Sequence, residues 1–154
     1  FDIVPVWGTK VRVSVRASTP ATNSGLSSLL KLTLKLFIMF DFENLEVYKK
    51  AKIFNATISR SFLRIETLDS VTKNQLRRAS LSVVLNIAEG TSRFSKPDRK
   101  NFCVIARGSV FECVAIFDIL KENGQLTEPE FLALYSAAEE MSKMLFAMIR
   151  NLDA

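Results

Sequence analysis

KNQLRRASLSVVLNIAEGTSRFSKPDRKNFCVIARGSVFE, residues 73–112, decides how this chain is read. It has the pattern of the second half of one helix, a short basic connector and the first half of the next. Two small-residue clusters, Ala88-Glu89-Gly90 and Ala106-Arg107-Gly108-Ser109, lie inside it. The flanking sequence is helical in pattern and is expected to pack around this hairpin. Residues 73–107 hold eight Lys/Arg and two Asp/Glu, a net +6, while residues 40–154 together are only net +1. The positive charge is therefore a local feature of the hairpin.

Working outward, helix two is expected to open at Thr72-Lys73-Asn74-Gln75, a T-x-x-Q capping box, and to end with Gly90 as its C-terminal cap. At 100° per residue, Gln75, Arg78, Ser82, Asn86 and Glu89 fall within an arc of about 80°, a polar stripe. Leu76, Ser80, Leu81, Val83, Val84, Ile87 and Ala88 fill a wider arc, too wide for one face of a monomeric bundle. Helix three starts after Ser95-Lys96-Pro97-Asp98, with a capping Ser and Pro in the first turn. Its expected core stripe is Phe102, Ile105, Ser109, Cys113, Ile116 and Leu120, and Asn123-Gly124 ends it. A second apolar side carries Val104, Phe111 and Val114, interrupted by Arg107, and again suggests a partner chain.

Helix one is predicted over Leu45 to Leu63, capped by Asn44, with the stripe Val47, Ala51, Phe54, Ile58 and Phe62. Helix four opens at the capping box Thr127-Glu128-Pro129-Glu130. Phe131, Leu134, Ala138, Met141, Leu145, Met148 and Leu152 then step by threes and fours, a seam over three heptads. Four helices with short connectors predict an all-α, antiparallel up-down four-helix bundle over residues 39–154. Residues 1–38 do not match this pattern. They combine Val11, Val13, Val15 alternation, a Ser/Thr/Ala/Pro-rich stretch and the run LLKLTLKLFIMF, which Lys31 and Lys35 break below the length a spanning helix needs. Nor does the run sit where a signal peptide would. The expectation is that Met39 is the true start and that 1–38 is translated upstream sequence or a poorly ordered extension.

The chemistry is bounded mainly by what is missing. With 0 His among 154 residues, His metal ligands, His general bases and Ser/Cys–His nucleophile pairs all drop out. So does the Glu-x-x-His di-iron site of other bundles. Glu89 and Glu112 read as helix-end charges or salt-bridge partners of Arg78 or Arg107, and an enzyme would need an unexpected pocket around one of them. Cys103 and Cys113 lie ten residues apart on one predicted helix, about 15 Å, too far for a disulfide. Reduced, buried thiols in a cytoplasmic protein are expected. Met141, Met144 and Met148 read as core or interface.

Lys73, Arg77, Arg78, Arg93, Lys96, Arg99 and Lys100 are the candidate phosphate contacts. If helices two and three are antiparallel neighbours, the connector cations sit at one end of the bundle. Lys73, Arg77 and Arg78 then lie about four turns away. Phe94 is the only aromatic among the connector charges, so stacking on bases has thin support in the sequence.

The segments FENLEVYKKA (42–51), QLRRASLS…NIAEGTSRFS (75–95) and FCVIARGSVFE (102–112) resemble the bacterial four-helix-bundle proteins encoded within 23S rRNA intervening sequences. The accessory variability determinant of diversity-generating retroelements is a relative of that family. The resemblance covers about residues 40–152. Where the family has Ile-Pro-Ser, this chain has Val83-Val84-Leu85, and the missing proline should leave helix two straighter. The resemblance implies a homopentameric barrel of bundles. For the retroelement relative it implies a basic nucleic-acid-binding surface and a reverse-transcriptase partner. Arg77, Arg78, Asn86, Glu89, Gly90, Arg107, Gly108 and Ser109 match the family motif. Gly108 and Ser109 are expected to permit close helix approach, and Arg78, Asn86 and Glu89 to form a polar network between helices. The reading is a cytoplasmic, non-enzymatic, cofactor-free homo-oligomer, away from membranes, that binds RNA or DNA. The alternative is a protein-interaction scaffold or accessory subunit, for example to a reverse transcriptase, whose charges are only solvated or paired.

Overall fold

The computed structural model describes residues 40–62 and 68–153. The expectations for residues 1–38, for Met39 as the start and for Leu63 as a helix end lie outside these residues. Four α-helices account for almost all of the described chain, with no strand among the described residues: α1 Glu46–Ser61, α2 Ser70–Thr91, α3 Lys96–Glu122 and α4 Glu128–Asp153.

Local chemistry explains the helix ends. Ser95 Oγ accepts from the Asp98 N–H at 3.1 Å and donates to the Asp98 carboxylate at 2.5 Å, the expected start of α3. Glu130 Oε2 accepts from the Thr127 N–H at 2.9 Å and from its hydroxyl at 2.6 Å, the expected start of α4. Two other starts differ from expectation. Asn44 lies inside a short 3-10 turn, Asp41–Asn44, so it cannot cap α1; Leu45 holds that position without a side-chain bond. The edge of the Phe42 ring against Tyr48, centroids 4.7 Å apart, fixes the entry instead. In α2, Asp69 Oδ1 accepts from the Thr72 N–H at 2.9 Å, which places Thr72 within the first turn rather than at the cap. Gly90 also differs. It stays helical and buried, and Ser92 closes α2. The α3 end is as expected, with Asn123 at the cap and Gly124 at φ +66°, a conformation that penalises any Cβ.

The predicted stripe of α1 is buried in full: Val47, Ala51, Phe54, Ile58 and Phe62. Along α4, Leu134, Ala138, Met141, Leu145 and Leu152 are buried, with Phe131 and Met148 packed partly against them. On α3 the core lies to one side of the predicted stripe. Ile105 is exposed and Phe102 only partly buried, while Cys103, Ala106 and Val110 join Ser109, Cys113, Ile116 and Leu120 inside. Small side chains occupy the inner face where neighbouring helices approach. Phe117 lies at the centre, its ring 6.0 Å from both Phe54 and Phe62. Both cysteines are buried and free.

Cross-helix pairs fix the neighbours. Ser80 bonds Asn55 across α1 and α2 at 2.9 Å. Between α2 and α3, Gln75 meets Glu112 at 3.0 Å, Ser82 meets Ser109 at 2.8 Å, and Gly90 lies under Phe102. Lys100 pairs with Asp153 at 2.6 Å and Lys121 with Glu128 at 2.8 Å, joining α3 to α4. Lys50 pairs with Glu140 at 3.0 Å across α1 and α4. Among the described residues no helix is long and apolar enough to cross a membrane.

Candidate nucleic-acid interface

The connector between α2 and α3 is built by side chains that bend back onto the end of α2. Thr91 and Ser92 hydroxyls donate to the carbonyls of Ala88 and Glu89, at 2.7 and 2.8 Å. Arg93 pairs with Glu89 one turn back, and its guanidinium lies 4.6 Å from the Phe102 ring centre. Arg99 Nε donates to the Arg93 carbonyl at 2.5 Å. Phe94 is thereby turned fully outward, 101% exposed, beside Lys96, which is also exposed. Lys100, a turn further on, is held by Asp153 of α4.

Of the seven predicted phosphate contacts, the structure brings Arg93, Lys96, Arg99 and Lys100 together at this end. It leaves Lys73, Arg77 and Arg78 in the first half of α2, where Arg77 donates to Asn74 at 3.2 Å. Lys73 and Arg93 are twenty residues apart on or just past one helix, about 30 Å. Among the described residues these seven cations therefore form two groups and no single patch.

The predicted polar network takes a different form. Asn86 donates to the Ser82 carbonyl and hydroxyl at 2.8 and 3.0 Å, and Ser82 bonds Ser109 across to α3. Arg78 has no place in it, and Glu89 turns to Arg93 instead. Ser109 makes the expected close contact with α2. Gly108 does not, because a Cβ there would meet nothing within 4 Å. Gly90 is the glycine of close approach, its Cβ position 3.1 Å from Phe102 Cβ. Arg107 and Glu112 also differ from the expected ion pairs. Arg107 Nε donates to Ser142 at 3.2 Å, and its guanidinium stacks between Phe111 and Phe146, at 4.8 and 5.4 Å from the ring centres. Glu112 accepts from Gln75.

The second apolar side of α3 is exposed. Val104, Gly108, Phe111, Ala115 and Ile119 step along one face by threes and fours, and Phe111 is 56% exposed. Val114, read as part of this side, instead packs partly against the core. Leu81 and Leu85 on α2 and Tyr135 and Phe146 on α4 are exposed as well. The α4 pair went unpredicted, although Tyr135, Glu139, Ser142, Phe146 and Ile149 form a second stripe beside the seam that the same counting would have found. Exposed apolar surface on three successive helices is more than scattered single residues.

A groove of about 380 Å³ runs between α1 and α4, lined by Phe54, Thr57, Ala133, Ala137 and Met141 among others. Its acids are engaged, Glu140 with Lys50 and Glu130 with Thr127, whose hydrogen bonds hold the Glu130 carboxyl below its usual range. Burial pushes the Cys103 thiol up; burial, helped by the Glu112 charge, takes Cys113 to about 12. Such thiols are poor nucleophiles. Among the described residues no three His, Cys, Asp or Glu side chains gather closely enough to hold a metal ion.

Comparison with known proteins agrees with this geometry. No curated protein matches the chain. A crystal structure from Bacteroides thetaiotaomicron VPI-5482, of a protein of unknown function from the S23 ribosomal protein family, superposes with a TM-score of 0.64 at 25% identity. The match covers 67% of this chain and 97% of that one. The family model for 23S rRNA-intervening sequence proteins matches residues 43–147. On that span, which takes in three helices and most of the fourth, the chain belongs to the 23S rRNA-intervening sequence protein family.

Proposed function

We propose that this protein is a cytoplasmic, non-enzymatic, antiparallel up-down four-helix bundle that assembles as a homopentamer and binds RNA or DNA through its basic connector. The observation that carries the binding reading is Phe94: fully exposed, next in sequence to Arg93, with Lys96, Arg99 and Lys100 around it. An unsupported aromatic at a cationic tip costs solvation and gains nothing from packing within the chain, whereas a nucleobase can stack on it while the cations neutralise phosphates. Antiparallel packing is supported by the cross-helix pairs of α2 with α3 and of α3 with α4, in which rising numbers on one helix meet falling numbers on the next. Assembly is supported by the exposed apolar stripe of α3 and its neighbours on α2 and α4, and a ring would repeat the connector around its axis.

Fluorescence anisotropy of the full chain with a labelled 23S rRNA hairpin and a DNA duplex, from 50 to 200 mM salt, tests this. Binding that weakens with salt, and that falls in Phe94→Ala and Lys96→Glu variants of unchanged helicity, is the expected result. No binding at 50 mM salt would overturn it. A second reading is favoured by one observation: Arg93 and Lys100 are already paired with Glu89 and Asp153. In that reading the protein is an interaction scaffold or an accessory subunit, for example to a reverse transcriptase, and the cations serve only solubility and helix contacts.

A further inference from the structure

Arg107 and Glu112 lie on opposite flanks of the exposed stripe of α3, each without a partner of opposite charge among the described residues. Five residues separate them, which places them roughly 140° apart around the helix and about 7.5 Å apart along it. Arg107 is held on the α4 flank by Phe111, Phe146 and Ser142, contacts that use Nε and leave its terminal N–H donors without an acceptor among the described residues. Glu112 is held on the α2 flank by the amide of Gln75, a neutral partner. Of the other acids near this face, Glu122 stands at the far end of the stripe, fifteen residues or about 22 Å along the helix past Arg107, and the rest are taken or misplaced. Glu89 pairs with Arg93 and Glu139 with Lys143, while Asp118, eleven residues past Arg107, falls on Arg107's own flank.

Both groups are partly buried and already fixed in position, so little rotamer freedom remains to be lost on pairing. A half-buried guanidinium clamped by two rings and lacking a carboxylate is incomplete within one chain. We infer that Arg107 of one copy pairs with Glu112 of the next, across an interface in which the α4 flank of one α3 faces the α2 flank of its neighbour. This rests on the self-association proposed above and adds the contact that sets its register. The partner is a second copy of this chain because the two halves of the pair lie on the two opposite edges of one apolar face. Pairing of opposite edges is made once per contact when copies join head to tail and twice in a two-fold dimer of parallel α3 helices; the fivefold assembly proposed above takes the first form. A shift of about 7.5 Å in the register of the two α3 helices brings Arg107 level with Glu112 and leaves each side chain where it is held.

Sedimentation velocity of the full chain as wild type, Arg107→Glu, Glu112→Arg, the double swap and Glu112→Gln tests the pair, with far-UV circular dichroism confirming that each variant is folded. The expected result is that each single reversal raises the concentration of half-dissociation by about tenfold or more, that Glu112→Gln does so less, and that the double swap returns it towards wild type. A wild-type protein that is monomeric at every concentration overturns the self-association reading, and this pair with it. A wild-type oligomer whose single reversals leave dissociation unchanged, or whose double swap remains as weak as the singles, overturns the pair alone.

Discussion

Two glycines in helical backbone offer opposite outcomes for the same substitution. Gly90→Ala and Gly108→Ala each replace glycine inside a helix with the best helix former, a gain of about 0.8–1.0 kcal/mol from propensity alone. The surroundings then decide. At Gly108 the new methyl meets nothing within 4 Å, so the gain is kept in full. At Gly90 the methyl would lie 3.1 Å from Phe102 Cβ and 3.7 Å from the Arg99 carbonyl. The first contact is inside the ~3.5–4.0 Å of normal carbon contact, and a Cβ cannot swing away by changing rotamer. Relief requires α2 and α3 to separate locally, an overpacking cost of about 1–3 kcal/mol. The net expectation is a stabilisation near 1 kcal/mol at Gly108 and a loss of about 0–2 kcal/mol at Gly90. Urea unfolding followed by circular dichroism, repeated over a tenfold range of protein concentration to expose any assembly contribution, measures both. A Gly90→Ala variant as stable as Gly108→Ala would refute the close approach of α2 to α3. A concentration-independent loss at Gly108 would refute the open surface there.

Other expectations follow from the core, the thiols and the caps. Phe117→Ala should cost about 3–5 kcal/mol in the same unfolding assay, because its buried ring touches both Phe54 and Phe62. With Cys113 at about 12, roughly one thiol in 10⁴ is ionised at pH 8, so alkylation of the native protein should be slow at Cys113 and accelerate sharply in urea. The same shift has a sign in stability: the unfolded thiol ionises near its ordinary value while the folded one does not, so Cys113 contributes stability that is lost as pH rises from about 9 towards 12. Asp69, Glu46 and Glu130 shift the other way, their carboxyls held down by hydrogen bonds from Thr72, Lys49 and Thr127. Their contribution is present above the ordinary carboxylate range and is lost as pH falls below it, so acid unfolding should start earlier than in an Asp69→Asn, Glu130→Gln variant relative to each protein's own pH 7 stability.

Much of the fold was legible because its signals are local. Ser95 with Asp98 and Thr127 with Glu130 lie within one helical turn of each other, and no nearby residue competes for the same N–H groups. Thr72 misled because Asp69, three residues earlier, reaches the Thr72 N–H first and starts the helix sooner. The α3 register was hard to read because that helix is apolar around most of its circumference, so counting large residues selected Phe102 and Ile105. Packing instead puts Cys103 and Ala106 inside, where α3 meets its neighbours, and leaves Phe111 for the outer face. The candidate site was less legible for a related reason. Whether a lysine is free depends on residues distant in sequence: Lys100 is claimed by Asp153, fifty-three positions away. Arg107 likewise depends on Phe146 and Ser142 of another helix. Exposure of Phe94 follows from Thr91, Ser92 and Arg93 folding back on α2, and no composition rule reports that.

The outer face of α3, with Leu81, Leu85, Tyr135 and Phe146 beside it, is the feature on which the proposed assembly depends. Light scattering of the full chain behind a sizing column, over a hundredfold range of concentration, tests it most directly. The account predicts a species of five times the 17.3 kDa chain mass, giving way to smaller species when Phe111 is changed to Lys. A particle of 17.3 kDa at every concentration, with wild type and Phe111→Lys indistinguishable, would contradict it.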